Sequence, residues 1–165
     1  MLKKVRIQIE TERRAAGGSL FAPTDELTSA RETETERISL TVQGRWHDDG
    51  ARVSLSYRET ELTGLEGSTT SISYQKSDPL VISMLRTGTV RTALLFEEGK
   101  HHLSVYETPI MPFEVCVFTR KIRNGLEREG TLTLDYDIEL RGADAEHTHF
   151  VLRVLPDFDK PQKKA

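Results

Sequence analysis

The stretch VSLSYRETELTGLEGSTTSIS, residues 53–73, contains two strand-like segments around a polar turn. Val53, Leu55 and Tyr57 alternate with polar residues, which predicts a β-strand with one buried face. Glu59 and Glu61 continue that apolar face up to the turn at TGLEGS. Two carboxylates at the end of a buried stripe are unexpected, because unpaired charges are rarely buried.

The same period of two runs through the rest of the chain. VRIQIE at 5–10 alternates strictly, and nine further strand-like runs follow between residues 33 and 155. Turn signals separate these runs, and no amphipathic helix interrupts them. The pattern predicts an all-β antiparallel barrel or sandwich formed by one domain over residues 1–156. A long connection is expected at 15–30 and a polar, disordered tail at 157–165.

The bulk composition excludes several function classes. The 165 residues carry a net charge of -3, whereas a nucleic-acid binder is expected to have a basic domain. No apolar run is long enough to span a membrane, and no apolar stretch follows the basic start to make a secretory signal. Cys116 is the only cysteine, which fits a reducing cytoplasm. We therefore expect a cytoplasmic protein with neither a nucleic acid nor a membrane as partner.

The Asp-Gly at 49–50 predicts a two-residue hairpin turn, because both central residues of such a turn favour positive φ. This register places Gly44 opposite Leu55, and it places Leu40 opposite Glu59. All apolar residues of the pair then share one face.

The Asn-Gly at 124–125 predicts a second hairpin of the same kind. It places Val117 opposite Leu132 and Arg120 across from Glu129. The latter would be a favourable cross-strand charge pair.

The strand pair 79–87 and 89–96 is apolar on both faces. Val81, Leu85, Val90, Leu94 and Phe96 are predicted to share one face. The other face combines Ile82, Met84 and Ala93 with Arg86 and Arg91. A strand that is apolar on both sides favours a second layer or another subunit, so a homodimer contact is expected here.

Four segments together resemble the YwiB-like family of small bacterial proteins. They are LSYRETELTG (55–64), SMLRTGTV (83–90), VYETP (105–109) and LDYDIEL (134–140). The resemblance implies a calycin-like, lipocalin-like up-and-down β-barrel of about eight to ten strands in a cytoplasmic setting. The family has no established reaction, so the resemblance implies a fold and no activity.

Glu59 is the polar residue best placed in the predicted interior. A buried carboxylate needs a cation or several hydrogen-bond donors, and the candidates are Arg86, Tyr57, Tyr106 and Tyr136. Such a group inside a small barrel can orient a ligand, or it can be a structural plug.

The other candidate catalytic and metal-binding residues are better explained without a catalytic or metal site. Glu59 with Glu61 could act as a hydrolytic carboxylate pair, but Glu61 is predicted to be a solvated rim residue. His147 and His149 share one strand face, yet the ligand set for zinc is incomplete, so a surface pair is predicted. Cys116 has no neighbouring base and is expected to be inert. We predict no catalytic residue, no metal and no cofactor.

The sequence thus predicts a non-enzymatic barrel that binds a small, partly apolar ligand, with Tyr57, Glu59, Arg86, Tyr106 and Tyr136 lining its interior. The alternative is a filled barrel that acts as a structural or interaction module through the surface around 79–96.

Overall fold

The computed structural model describes residues 2–15, 35–140 and 145–155. The predicted connection at 15–30 lies outside these residues apart from Ala15, and the predicted tail at 157–165 lies outside them entirely. The described part of the chain contains no helix long and apolar enough to cross a membrane.

Ten strands and one short 3-10 helix (Glu61–Thr63) make up the described structure. In chain order the strands are β1 (Leu2–Ala15), β2 (Thr35–Asp48), β3 (Arg52–Arg58), β4 (Ser68–Gln75), β5 (Asp78–Gly88), β6 (Thr92–Glu97), β7 (His101–Glu107), β8 (Pro112–Gly125), β9 (Thr131–Leu140) and β10 (Glu146–Leu155). The all-β prediction is confirmed, and each predicted strand-like run corresponds to one strand.

All ten strands form one antiparallel sheet in the order β6-β5-β4-β3-β2-β1-β10-β9-β8-β7. The sheet curls so that β6 and β7 meet, which gives a nearly closed up-and-down barrel. At this seam Arg91 and Glu107 form an isolated bridge with N···O distances of 2.9 and 2.8 Å. The Ser104 hydroxyl also donates a 2.6 Å hydrogen bond to the Ala93 carbonyl. Full closure would remove both sheet edges, and these few bonds close the barrel only in part.

The core fills the barrel with inward-facing side chains from alternate positions of the strands. Gly44 faces inward on β2, where a Cβ atom would lie 2.2 Å from the Ile7 Cδ1 atom. The absence of a side chain at Gly44 therefore leaves room for the buried Ile7 side chain. The largest fully buried side chains are those of Phe96, Ile7, Leu55, Ile72, Ile82, Met84, Leu132, Leu134 and Leu152.

The predicted register of the first hairpin is wrong by two residues. Gly44 pairs with Tyr57 rather than with Leu55. The loop lies at Gly50–Ala51, one residue further along, because the Asp49 carboxylate accepts bonds from the backbone N–H groups of Ala51 and Arg52. A shift of two residues leaves every side chain on its predicted face.

The predicted register of the second hairpin is also wrong. The carbonyl of Gly125 accepts bonds from the N–H groups of residues 128, 129 and 130, so the loop spans 126–130. Val117 consequently pairs with Ile138. Arg120 contacts Asp137 at 2.7 Å instead of Glu129. The longer loop forms because Leu126 is buried in the core rather than projecting into solvent.

The faces of β5 and β6 differ from the predicted grouping. Met84 pairs with Leu94, and Ile82 pairs with Phe96; all four side chains point inward. Leu85 is therefore on the outer surface. Residues 89–91 connect the two strands, whereas the predicted limits 79–87 and 89–96 leave only Gly88 between them, and this difference changes which residues share a face.

The β8–β9 hairpin covers one end of the barrel. Leu126 packs against the core, and the Tyr74 hydroxyl donates a 2.9 Å hydrogen bond to the Glu127 carboxylate. Lys76 lies 3.5 Å from the same carboxylate and 2.9 Å from Asp48. A pocket opens at the opposite end, where β1 finishes and β10 begins.

Candidate functional site

Glu59 is buried just beyond the end of β3, and its side chain is only 2% exposed. The Thr63 hydroxyl donates a 2.9 Å hydrogen bond to Oε1, and the Thr70 hydroxyl donates a short one to Oε2. The Arg86 Nε atom lies 3.8 Å from Oε2 and donates a 3.3 Å bond to the Thr70 hydroxyl. The predicted need of Glu59 for donors and a cation is thus met by two threonines and one arginine.

The local sequence explains this arrangement. Thr60 caps the 3-10 helix by accepting a bond from the Leu62 N–H, and Gly64 ends it with φ at +76°. This single turn carries Thr63 back over Glu59, while Glu61 stays exposed. The expectation that Glu61 is a rim residue agrees with its exposure.

Arg86 points inward from β5, on the same face as Ile82 and Met84, and its side chain is 14% exposed. The sequence alone left the direction of this strand open. In the part of the chain that the structure describes, both polar contacts of Arg86 are made by Nε. Its Nη1 and Nη2 amino groups therefore have no hydrogen-bond acceptor among these residues.

The tyrosines occupy different depths. Tyr57 and Tyr136 are buried, and the Tyr136 ring packs 4.7 Å from the ring of Phe96. Burial raises the pKa of Tyr57 far above its ordinary value, and the negative charge of Glu59 adds to that shift. Tyr106 is half-buried on β7, near the barrel end.

A pocket of about 470 Å³ opens at the end of the barrel opposite the β8–β9 hairpin. Buried Leu94, Val115, Tyr136 and Thr148 form its deep part, whereas Phe113 is 39% exposed at its rim. The remaining lining residues are Arg13, Thr63, Leu65, Arg86, Tyr106, Thr108, Ile138 and Glu146.

Three of the five predicted site residues line this pocket, namely Arg86, Tyr106 and Tyr136. Glu59 and Tyr57 are not among the lining residues. Glu59 lies behind Thr63 and Arg86, which separate it from the pocket. A bound molecule would contact Arg86 directly and Glu59 only through its neighbours, so the geometry does not favour hydrolysis by Glu59 with Glu61.

The sequence interpretation missed Arg13, Thr70 and Thr148. Each continues an inward-facing stripe at a spacing of two residues: Arg13 follows Val5, Ile7 and Ile9, and Thr70 precedes Ile72. This is the signal that identified Glu59, and it could have identified these polar residues too.

His147 is half-buried on the outer surface of β10 and contacts two carboxylates. Its Nδ1 lies 2.7 Å from Asp137 and its Nε2 lies 2.6 Å from Asp135. Burial would raise the pKa of Asp137, but hydrogen bonds from Arg120 and His147 outweigh it and hold that pKa below its ordinary value. The Nδ1 contact with Asp137 is a hydrogen bond, whereas the Nε2 contact with Asp135 lacks hydrogen-bond geometry, so His147 joins β10 to β9 through one hydrogen bond and one close charge contact.

The described residues contain no group of three or more histidine, cysteine, aspartate or glutamate side chains that could hold a metal ion. Cys116 is a free, half-buried thiol on β8.

Comparison with known proteins identifies relatives of the fold. A family model for a domain of unknown function, DUF1934, matches residues 25–152. Among solved structures, the crystal structure of the ywiB protein from Bacillus subtilis is similar, with a TM-score of 0.66 and 17% sequence identity. The likeness covers 94% of this chain and 96% of that chain. At this identity it shows the fold alone. No protein with a curated description matches the chain.

Proposed function

The chain belongs to the DUF1934 family, and we propose that it is a non-enzymatic protein that binds a small, partly apolar molecule at the open end of the barrel. The match confirms the predicted YwiB-like resemblance, and since the family's domain is of unknown function, the proposal rests on the pocket. A cytoplasmic setting is part of the proposal, supported by the single thiol of Cys116.

The observation that carries the proposal is the composition of the pocket. Its volume of about 470 Å³ lies within the range of roughly 300–1,000 Å³ typical of small-molecule sites. Leu94, Phe113, Val115 and Ile138 give it apolar walls, and Arg86 with the tyrosines supplies a few convergent polar groups. Such a mixture favours a ligand with an apolar body and one polar end.

The surroundings of the mouth also support entry of an apolar molecule. Leu62, which precedes Thr63, and Ile110 and Met111, which lie between Thr108 and Phe113, are exposed apolar residues close in sequence to the pocket lining. Exposed apolar side chains around a pocket commonly mark a ligand-binding groove.

A pocket-filling variant tests the proposal. Ile138→Trp places an indole inside the pocket, whereas Glu139→Trp places the same group on the outer surface of the same strand. The neutral fluorophore N-phenyl-1-naphthylamine should bind the wild type and Glu139→Trp with a rise in fluorescence. We expect Ile138→Trp to weaken its binding at least about tenfold, a loss of ~1.4 kcal/mol.

Thermal unfolding of both variants is the control for folding. If folded Ile138→Trp binds the fluorophore as the wild type does, or if no form of the protein binds it, the proposed binding function is contradicted.

The alternative function is self-association through the outer surface at the seam. Leu85 on β5 and Leu103 and Val105 on β7 are exposed there, with Leu103 at 76%. The edge strands β6 and β7 meet at this seam through few backbone bonds, and exposed apolar outer faces favour a second copy of the chain as cover.

We predict that Leu103→Glu abolishes any such dimer, because it would bury two carboxylates at the contact, whereas Thr41→Glu on the outer face of β2 leaves it intact. Sedimentation equilibrium at high micromolar concentration measures the mass. A wild-type monomer under those conditions would exclude this alternative.

A further inference from the structure

We propose that the molecule bound in the pocket is an anion, and that its negatively charged end lies between Arg86 and Arg13 beside the Tyr136 hydroxyl. This inference rests on the proposed binding function and adds the chemical class of the ligand.

Arg86 supplies the first part of the argument. A guanidinium has five N–H donors, and the contacts with Thr70 and Glu59 involve Nε alone. Its Nη1 and Nη2 groups belong to a residue that lines the pocket and is 14% exposed. Among the described residues, the buried side-chain atoms without a hydrogen-bond partner are Thr92 Oγ1 and Asp135 Oδ1, so the Arg86 amino groups are accessible from the pocket. Two adjacent amino groups match the paired oxygens of a carboxylate, sulfonate or phosphate.

Arg13 supplies a second positive charge in the same pocket. Its ion pair is with Glu36, its cross-strand partner on β2, at 3.8 Å, and the Glu36 side chain is 63% exposed. Exposed pairs of this kind are weak, so Arg13 is available to a ligand.

Tyr136 lines the same pocket as the two arginines, and both of their charges act on its phenol. Burial raises the pKa of its phenol. The positive charges of Arg86 and Arg13 each lower this pKa, and each effect is larger than the increase caused by the negative charge of Glu146. An anionic group near this hydroxyl would be stabilised for the same electrostatic reason.

The carboxylates do not favour a cationic ligand instead. Glu59 lies behind Arg86 and Thr63, both its oxygens accept threonine hydroxyls, and it does not line the pocket. Glu146 lines the pocket but is exposed, so solvent and salt screen its charge. Glu59 is therefore a positioning residue that fixes the direction of the Arg86 side chain.

Two fluorophores that share one aromatic scaffold provide the test. 8-anilinonaphthalene-1-sulfonate is N-phenyl-1-naphthylamine with one added sulfonate. We expect the sulfonate to bind the wild type about tenfold more tightly than the neutral compound, which corresponds to ~1.4 kcal/mol. Arg86→Gln should remove that difference while changing binding of the neutral compound by less than about twofold.

Matched variants keep the test decisive. Arg91→Gln removes an exposed arginine outside the pocket and should leave both affinities unchanged. Because Arg86→Gln leaves the buried Glu59 without its cation, the double variant Glu59→Gln/Arg86→Gln, which removes both charges, is the control for folding and should show the same loss of sulfonate preference. Arg13→Gln should reduce the preference in part.

The outcomes separate the two proposals. If the neutral fluorophore binds and the sulfonate binds no more tightly, or if Arg86→Gln weakens both equally, the ligand is not recognised as an anion and the binding function stands. If neither compound binds the folded wild type, the proposed function fails together with this inference.

Discussion

Glu59→Ala is expected to lower the free energy of unfolding by about 3 kcal/mol, the scale of breaking a buried ion pair by removing one partner. The substitution removes the acceptor for the Thr63 and Thr70 hydroxyls and leaves the Arg86 guanidinium without its buried counter-charge. It also frees the 3-10 helix from β4, since the carboxylate joins Thr63 to Thr70. Urea unfolding followed by tryptophan fluorescence measures the change.

Two variants serve as controls for this result. Glu61→Ala removes an exposed carboxylate two residues away and should change stability by no more than about 0.5 kcal/mol. Glu59→Gln keeps the shape and one acceptor oxygen, so it should cost about 1–2 kcal/mol. Equal effects of Glu59→Ala and Glu61→Ala would show that the buried network does not stabilise the fold.

Phe96→Ala is expected to destabilise the protein by about 4 kcal/mol, because it removes a fully buried aromatic side chain and leaves a cavity. Phe96 is the largest fully buried side chain, and its ring packs against Tyr136 beside the pocket. It also lies on β6, the terminal strand of the sheet, which pairs continuously with β5 alone. The inward packing of Phe96 therefore holds the seam of the barrel closed.

Leu103→Ala provides the comparison, since it deletes apolar atoms from an exposed position across the same seam. Its effect should stay within about 0.5 kcal/mol. Chemical denaturation measures both variants, and a loss below about 1 kcal/mol for Phe96→Ala would mean that the interior is not packed around this ring.

The strands, and the inward faces of all of them except the β5–β6 pair, could be predicted because burial determines the period of two residue by residue. The registers could not. A shift by an even number of residues keeps Val117, Leu132 and Tyr136 on the inner face, so the apolar pattern fits several registers equally well. The turn then decides the register, and the Asn-Gly at 124–125 is followed by a buried Leu126 that moves the loop along the chain.

The candidate site was predictable in part for the same reason. Glu59 was identified because a carboxylate broke an apolar stripe, and Arg13 carries the same signal on β1. The contact of Glu59 with the Thr63 hydroxyl could not be predicted, because it depends on how the 3-10 helix folds back over β3. The meeting of Arg13 with Arg86 in one pocket depends on barrel closure, which brings together strands that are far apart in the sequence. No local pattern contains that information.

Native mass spectrometry of the wild type and Ile138→Trp, each purified from the protein's own host, tests the central claim most directly. The account predicts that the wild type retains one small molecule per chain, that the molecule carries an acidic group, and that Ile138→Trp lacks it. A bare polypeptide mass for both proteins, or the same retained molecule on both, would contradict the assignment of the pocket as a binding site.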